Sequence, residues 1–166
     1  MLTSWLEWLR DTGWAEFLRE NAFAFPWVEC LHVLAMTLVV GSISVVDLRL
    51  LGLASRDRSV REVLGDVLPI TWSAFAVAVG SGFLLFASNA PAYARNPYLQ
   101  LKLLLLLIAG VNMAIFHVWA HRSLASWEHD RQLPLRARIA GGVSLASWLG
   151  VVAAARWIGF TMTGPS

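Results

Sequence analysis

Charge is scarce in this chain: 166 residues contain only 13 Lys or Arg and 11 Asp or Glu, a charged fraction of 14%. So few polar side chains cannot cover a water-soluble globule of this size, and a hydrophobic fraction of 57% with a mean hydropathy of +0.60 makes lipid the expected solvent. Cysteine is nearly absent. Cys30 stands alone, so no internal disulfide can form, and no C-x-x-C-H run offers a covalent c-type haem attachment. There is no basic tail or stripe, and the formal charge of +2 reads as a topology signal rather than a nucleic-acid footprint. Phosphate-binding glycine loops, H-E-x-x-H helices, G-x-S-x-G elbows and dense carboxylate pairs are also missing, which argues against nucleotide-binding and soluble-type hydrolase chemistry.

Long apolar runs are what the chain has instead. Trp27 to Leu53, Val67 to Ser88, Leu99 to Ala120 and Ile139 to Phe160 each exceed the roughly 20 residues a helix needs to cross a bilayer. The predicted fold is all-α, an integral membrane four-helix bundle forming a single domain over residues 1–166. Residues 1–25 carry Leu2, Trp5, Leu6, Leu9, Phe17 and Leu18 among charged residues at helical spacing, which predicts an amphipathic interfacial helix, with Pro26 turning the chain into the membrane. Glu7, Asp11 and Glu16 near the start, with no basic n-region, predict that this segment is retained rather than cleaved. Arg49, Arg56, Arg58 and Arg61 follow the first run, and Arg122, Arg131, Arg136 and Arg138 follow the third. Positive loops face the cytoplasm, so both termini and the Asn89 to Tyr98 connection are expected outside, in a bacterial-type inner (plasma) membrane.

Polar residues inside these runs are the candidates for function, because an ionisable group at membrane depth is costly unless paired or working. At about 1.5 Å of rise per residue, His32 lies roughly 8 Å and Lys102 roughly 5 Å below the outer starts of their helices. Glu29 sits one turn above His32 on nearly the same face, and Arg156 lies near the outer end of the last helix. An outer cluster of Glu29, His32, Lys102 and Arg156 is predicted. His117 is about 19 Å deeper than His32 by the same arithmetic, so these two imidazoles, although both available to a metal, do not readily share one ion. A second cluster of Asp47, Arg49, Thr71, His117 and His121 is expected near the opposite face, with Asp47 and Arg49 as a boundary ion pair or anchor. Gly41, Ser42, Ser44, Gly80, Gly82, Gly141 and Gly142 would permit close helix approach or leave room for a flat group.

Leu31-His32, an apolar run with Gly41, Asp47-Leu48-Arg49-Leu50-Leu51, and Gln100-Leu101-Lys102-Leu103 at the start of the third run together resemble the HemJ-type protoporphyrinogen oxidases and copper-resistance D-like membrane domains. The resemblance covers Trp27 to His121. It implies that His32 and Lys102 are a functional pair associated with b-type haem, with catalysis left open. This chain departs from the pattern in carrying Asn112 and a later His117 where a further third-helix histidine is usual, and in ending helix one with Asp47-Leu48-Arg49 instead of a proline-arginine-leucine turn. Haem b with His32 as axial ligand, Lys102 as second ligand or propionate partner, and Arg156 and Glu29 nearby is the expected cofactor arrangement, with electron transfer as the role. Rival readings are a cofactor-free accessory subunit packed against partner membrane subunits or a second copy, and a copper protein using Glu29, Cys30 and His32. Each residue also has a structural alternative: His32 and His117 as interhelical hydrogen-bonding groups only, and Lys102 and Arg156 as side chains that snorkel to the headgroups.

Overall fold

The computed structural model describes residues 2–55, 57–123, 127 and 133–162. The side chains of Arg56, His121, Arg122, His129 and Arg131 lie outside the described residues. Four helices are long and apolar enough to cross a membrane. They are α3 (Ala24–Leu50), α4 (Val60–Ser88), α6 (Pro97–Ser123) and α7 (Leu135–Met162), preceded by the short helices α1 (Leu2–Arg10) and α2 (Gly13–Glu20), with α5 (Ala90–Arg95) between α4 and α6. The chain is an all-α multi-pass membrane protein. Its long helices expose Leu34, Leu38, Val79, Leu103, Leu107, Ile115 and Val152, a distribution that suits acyl chains and not water.

Helix ends follow from local chemistry that the hydropathy runs do not show. α4 starts at Val60, well ahead of the expected Val67, because Ser59 and Glu62 form a capping box: the Ser59 hydroxyl accepts from the Glu62 amide at 3.2 Å while the Glu62 carboxylate accepts from the Ser59 amide at 3.2 Å. The helix then passes through Pro69, which removes one donor from the ladder without ending it. At the start of α3 it is Asn21 that turns the chain, its Oδ1 accepting from the amides of Phe23 and Ala24 at 2.9 and 3.0 Å. Pro26 corrects an expectation. It lies inside the first turn of α3, where its missing N–H has no helical partner to lose.

The predicted interfacial helix is broken in two. Thr12 separates α1 from α2, its hydroxyl donating to the Leu9 carbonyl at 2.7 Å, and the pair folds onto the bundle end formed by α4 and α5. Leu6, Leu9 and Ala15 pack there on Ala87 and Ala90, and Arg19 donates to the Ser88 carbonyl at 3.2 Å. Trp5, Trp8 and Phe17 remain exposed on the other side, as an interfacial layer requires.

In the bundle, α3 packs on α4 and on α7, and α7 packs on α6. No close backbone packing joins α4 to α6 among the described residues, so the ring of helices has one loose seam. Val39, Ala74, Ala109, Trp148 and Val151 fill the middle of the bundle, and a second cluster of Val46, Leu50, Val60, Val63 and Phe116 fills the end away from the N-terminus. Of the small residues named above, two have backbones or rings pressed against them. A Cβ at Gly141 would lie 2.9 Å from the Asp47 carbonyl oxygen, and one at Gly82 would lie 2.9 Å from the His32 ring. Gly41 and Gly80 face open space, and Gly142 makes only ordinary contact. Gly141→Ala is therefore expected to destabilise the bundle by about 1–3 kcal/mol because the backbone oxygen it meets cannot move aside. Gly41→Ala should be neutral or stabilising. Denaturant unfolding in detergent micelles compares the two.

Candidate functional site

His32 is the centre of the polar group at the N-terminal end of the bundle. It projects from α3 against α4 at a place where Gly82 has no side chain, so the ring can settle flat on the helix backbone. Nδ1 lies 2.9 Å from the Ala78 carbonyl oxygen and 3.1 Å from the Ser81 hydroxyl. A carbonyl only accepts, so Nδ1 carries the proton. Ser81 spends its own proton on the Val77 carbonyl at 2.6 Å, which leaves its oxygen to accept from the imidazole as well. Nε2 is then a bare lone pair, and the Lys102 amine from α6 stands 3.4 Å from it. The first-span imidazole and the third-span amine therefore meet, as their depths predicted.

The rest of the predicted outer cluster does not assemble. Glu29 is exposed near the start of α3, within electrostatic reach of Tyr93 on α5; burial and that negative charge both push the Tyr93 hydroxyl above its usual pKa. Arg156 is exposed and stacks its guanidinium on the Phe160 ring at 4.6 Å, one turn along its own helix. Both fail to join for the same reason: each lies on a helix face that the bundle leaves outward. Cys30 is exposed too, so it, Glu29 and the inward-turned His32 do not converge on a copper ion. Among the described residues no three His, Cys, Asp or Glu side chains gather closely enough to hold a metal.

At the other end of the bundle the predicted cluster assembles only in part: Asp47, Thr71 and His117 line one cavity, and Arg49 turns away from it. Asp47 and Arg49 are among the most buried polar residues, 2% and 1% exposed, yet they diverge. Arg49 turns toward the α3–α4 connection and its Nε donates to the Arg58 carbonyl at 2.9 Å, so it anchors that loop instead of pairing with Asp47. Asp47 faces inward toward the Ser144 hydroxyl of α7, with Oδ2 lacking a hydrogen-bond partner among the described residues. His117 is exposed and its Nδ1 lies 3.0 Å from the Met113 carbonyl of its own helix. A cavity of about 220 Å³ opens beside these groups between all four long helices.

Ser81 and Asn96 are two site residues that the sequence did not single out, whereas Gly82 was expected only as a small packing residue. Ser81 and Gly82 seat His32, and Asn96 fixes α6, its Oδ1 accepting from the amides of Tyr98 and Leu99 at 2.9 and 3.3 Å while its Nδ2 donates to Thr161 on α7 at 2.8 Å. An Asn directly before Pro97 is a helix-start signal that was legible; its reach to Thr161 was not.

Fold and site define a polytopic four-helix membrane protein with one histidine–lysine contact between helices. A family profile matches residues 20–161, and the chain belongs to that family, DUF6644, a family of unknown function. No curated protein and no solved structure matches the chain.

The hydrogen-bond pattern makes a spectroscopic prediction. Nitrogen-15 shifts of the His32 ring should report the Nδ1–H tautomer in the native chain and in Lys102→Met, since the Ala78 carbonyl sets it. Gly82→Ala should displace the ring and blur the tautomer preference.

Proposed function

We propose that this chain is a b-type haem-binding protein of a bacterial-type inner membrane, with His32 and Lys102 as the residues that would hold the haem and electron transfer as its role. One observation carries the reading: an imidazole whose Nδ1–H is held by a backbone carbonyl presents its other nitrogen, across a helix gap, to a half-buried amine 3.4 Å away. Holding the second ring nitrogen in this way orients a histidine ligand and raises its basicity. The donor set fits. An imidazole nitrogen and a neutral amine are both donors that haem iron would accept, and the two lie 3.4 Å apart. The resemblance to HemJ-type proteins supports the same pair.

When bound, haem would supply one-electron chemistry. The chain's own part is positional. His32 is oriented by Ala78 and Ser81, Lys102 brings an amine from α6 to the same depth, and the acyl-facing helices exclude water around them. Seating a macrocycle requires the loose α4–α6 seam to part, because the 220 Å³ cavity is smaller than the about 300–1,000 Å³ of ordinary ligand pockets and its outer rim, at Val39, Phe75 and Leu106, starts below the pair. Both termini outside the cytoplasm and a partner membrane subunit as electron donor or acceptor belong to the same reading.

Full-length protein produced with added haem precursor and purified in detergent tests it. A Soret band is expected, absent in His32→Ala and shifted in Lys102→Met. A colourless preparation that remains folded would overturn the proposal and leave the histidine–lysine contact as a purely structural tie, the arrangement an accessory subunit needs.

A further inference from the structure

The cavity between the four long helices is a separate place from the His32–Lys102 pair, and its chemistry is different. Trp72, Phe75, Phe116 and Trp148 supply aromatic wall, with Asp47 the only carboxylate among the described residues that line it. Its volume of about 220 Å³ exceeds the roughly 150 Å³ of an apolar protein cavity that takes up benzene, so a single substituted ring fits.

Its polar groups narrow the occupant further. Thr71 donates to the Val67 carbonyl at 3.0 Å and shares a 2.7 Å hydrogen bond with Ser42. The Asn112 amide donates to the Ala140 carbonyl at 2.9 Å, and His117 is engaged with Met113. Asp47 is the exception. It is 2% exposed, its Oδ2 has no hydrogen-bond partner among the described residues, and its backbone carbonyl packs directly on Gly141 of α7. A buried acceptor of this kind costs free energy unless a donor arrives. Trp72 and Phe75 of α4 and Leu106 and Met113 of α6 line it along the seam where those two helices lack close backbone packing among the described residues.

We infer that this cavity is a binding site for a lipid-soluble, single-ring aromatic alcohol of the phenol class, whose ring lies among the aromatic side chains and whose hydroxyl donates to the Asp47 carboxylate. The inference goes beyond the haem reading and does not depend on it.

The test compares 4-fluorophenol with 4-fluorotoluene, which have nearly the same shape but differ in the donor. Binding to the full-length protein in micelles is followed by fluorine NMR, with empty micelles correcting for partition. Saturable binding of 4-fluorophenol, at least about tenfold tighter than that of 4-fluorotoluene, is expected from a hydrogen bond to a buried carboxylate. Asp47→Leu should abolish the preference while retaining ring binding, and Ala109→Phe, which fills the cavity, should abolish both. Equal affinity for the two probes in the native chain, absence of saturable binding, or unchanged binding in a folded Ala109→Phe protein would each overturn the inference. The native comparison needs no variant to fold, and fluorine NMR is blind to the Soret band, so failure here and failure of the haem reading are distinguishable.

Discussion

Hydrocarbon offers no hydrogen bonds, so every polar side chain carried into it must find its partner inside the bundle, and His32 is where that constraint organises this fold. Its ring bonds α4 and faces α6 at once. One imidazole therefore ties together two helices that lack close backbone packing on one another. The arrangement works because an imidazole has a donor on one nitrogen and an acceptor on the other, 2 Å apart and fixed in a plane.

At the other end of the molecule the helices are held by a different device. There α3 and α7 approach until the Asp47 carbonyl sits where a Gly141 Cβ would be, and the apolar cluster around Val46, Leu50 and Phe116 closes over the contact. Tight backbone packing at one end and a polar bridge at the other leave the space between unequally filled. The cavity is the result, and Asp47 is buried beside it because the backbone it belongs to cannot retreat.

Much of the architecture was legible in the residues. Four apolar runs gave four spanning helices, and counting rise per residue placed His32 and Lys102 level with each other before any contact was known. Depth, however, is only one of two coordinates. Rotation about each helix axis decides whether a side chain faces a neighbour, and Glu29 and Arg156 satisfied the first coordinate but not the second. Asp47 and Arg49, two residues apart, diverge because successive positions on a helix differ by about 100° twice over. The cap at Ser59–Glu62 and the turn at Asn21 were readable signals masked by hydropathy, which sees polar cap residues only as the edge of a run. The cavity had no signature at all, since a void is a property of four surfaces together.

Asn96 ties the start of α6 to Thr161 near the end of α7, and Lys102 stands six residues further along the same helix. A helix is a screw, so sliding α6 by one residue against α7 would carry the amine about 1.5 Å along the axis and swing it by roughly 100°. Such a slip would point it at the acyl chains. The amide thus works as an index pin: by fixing the thread at the mouth of the third span, it decides from a distance which way the lysine looks.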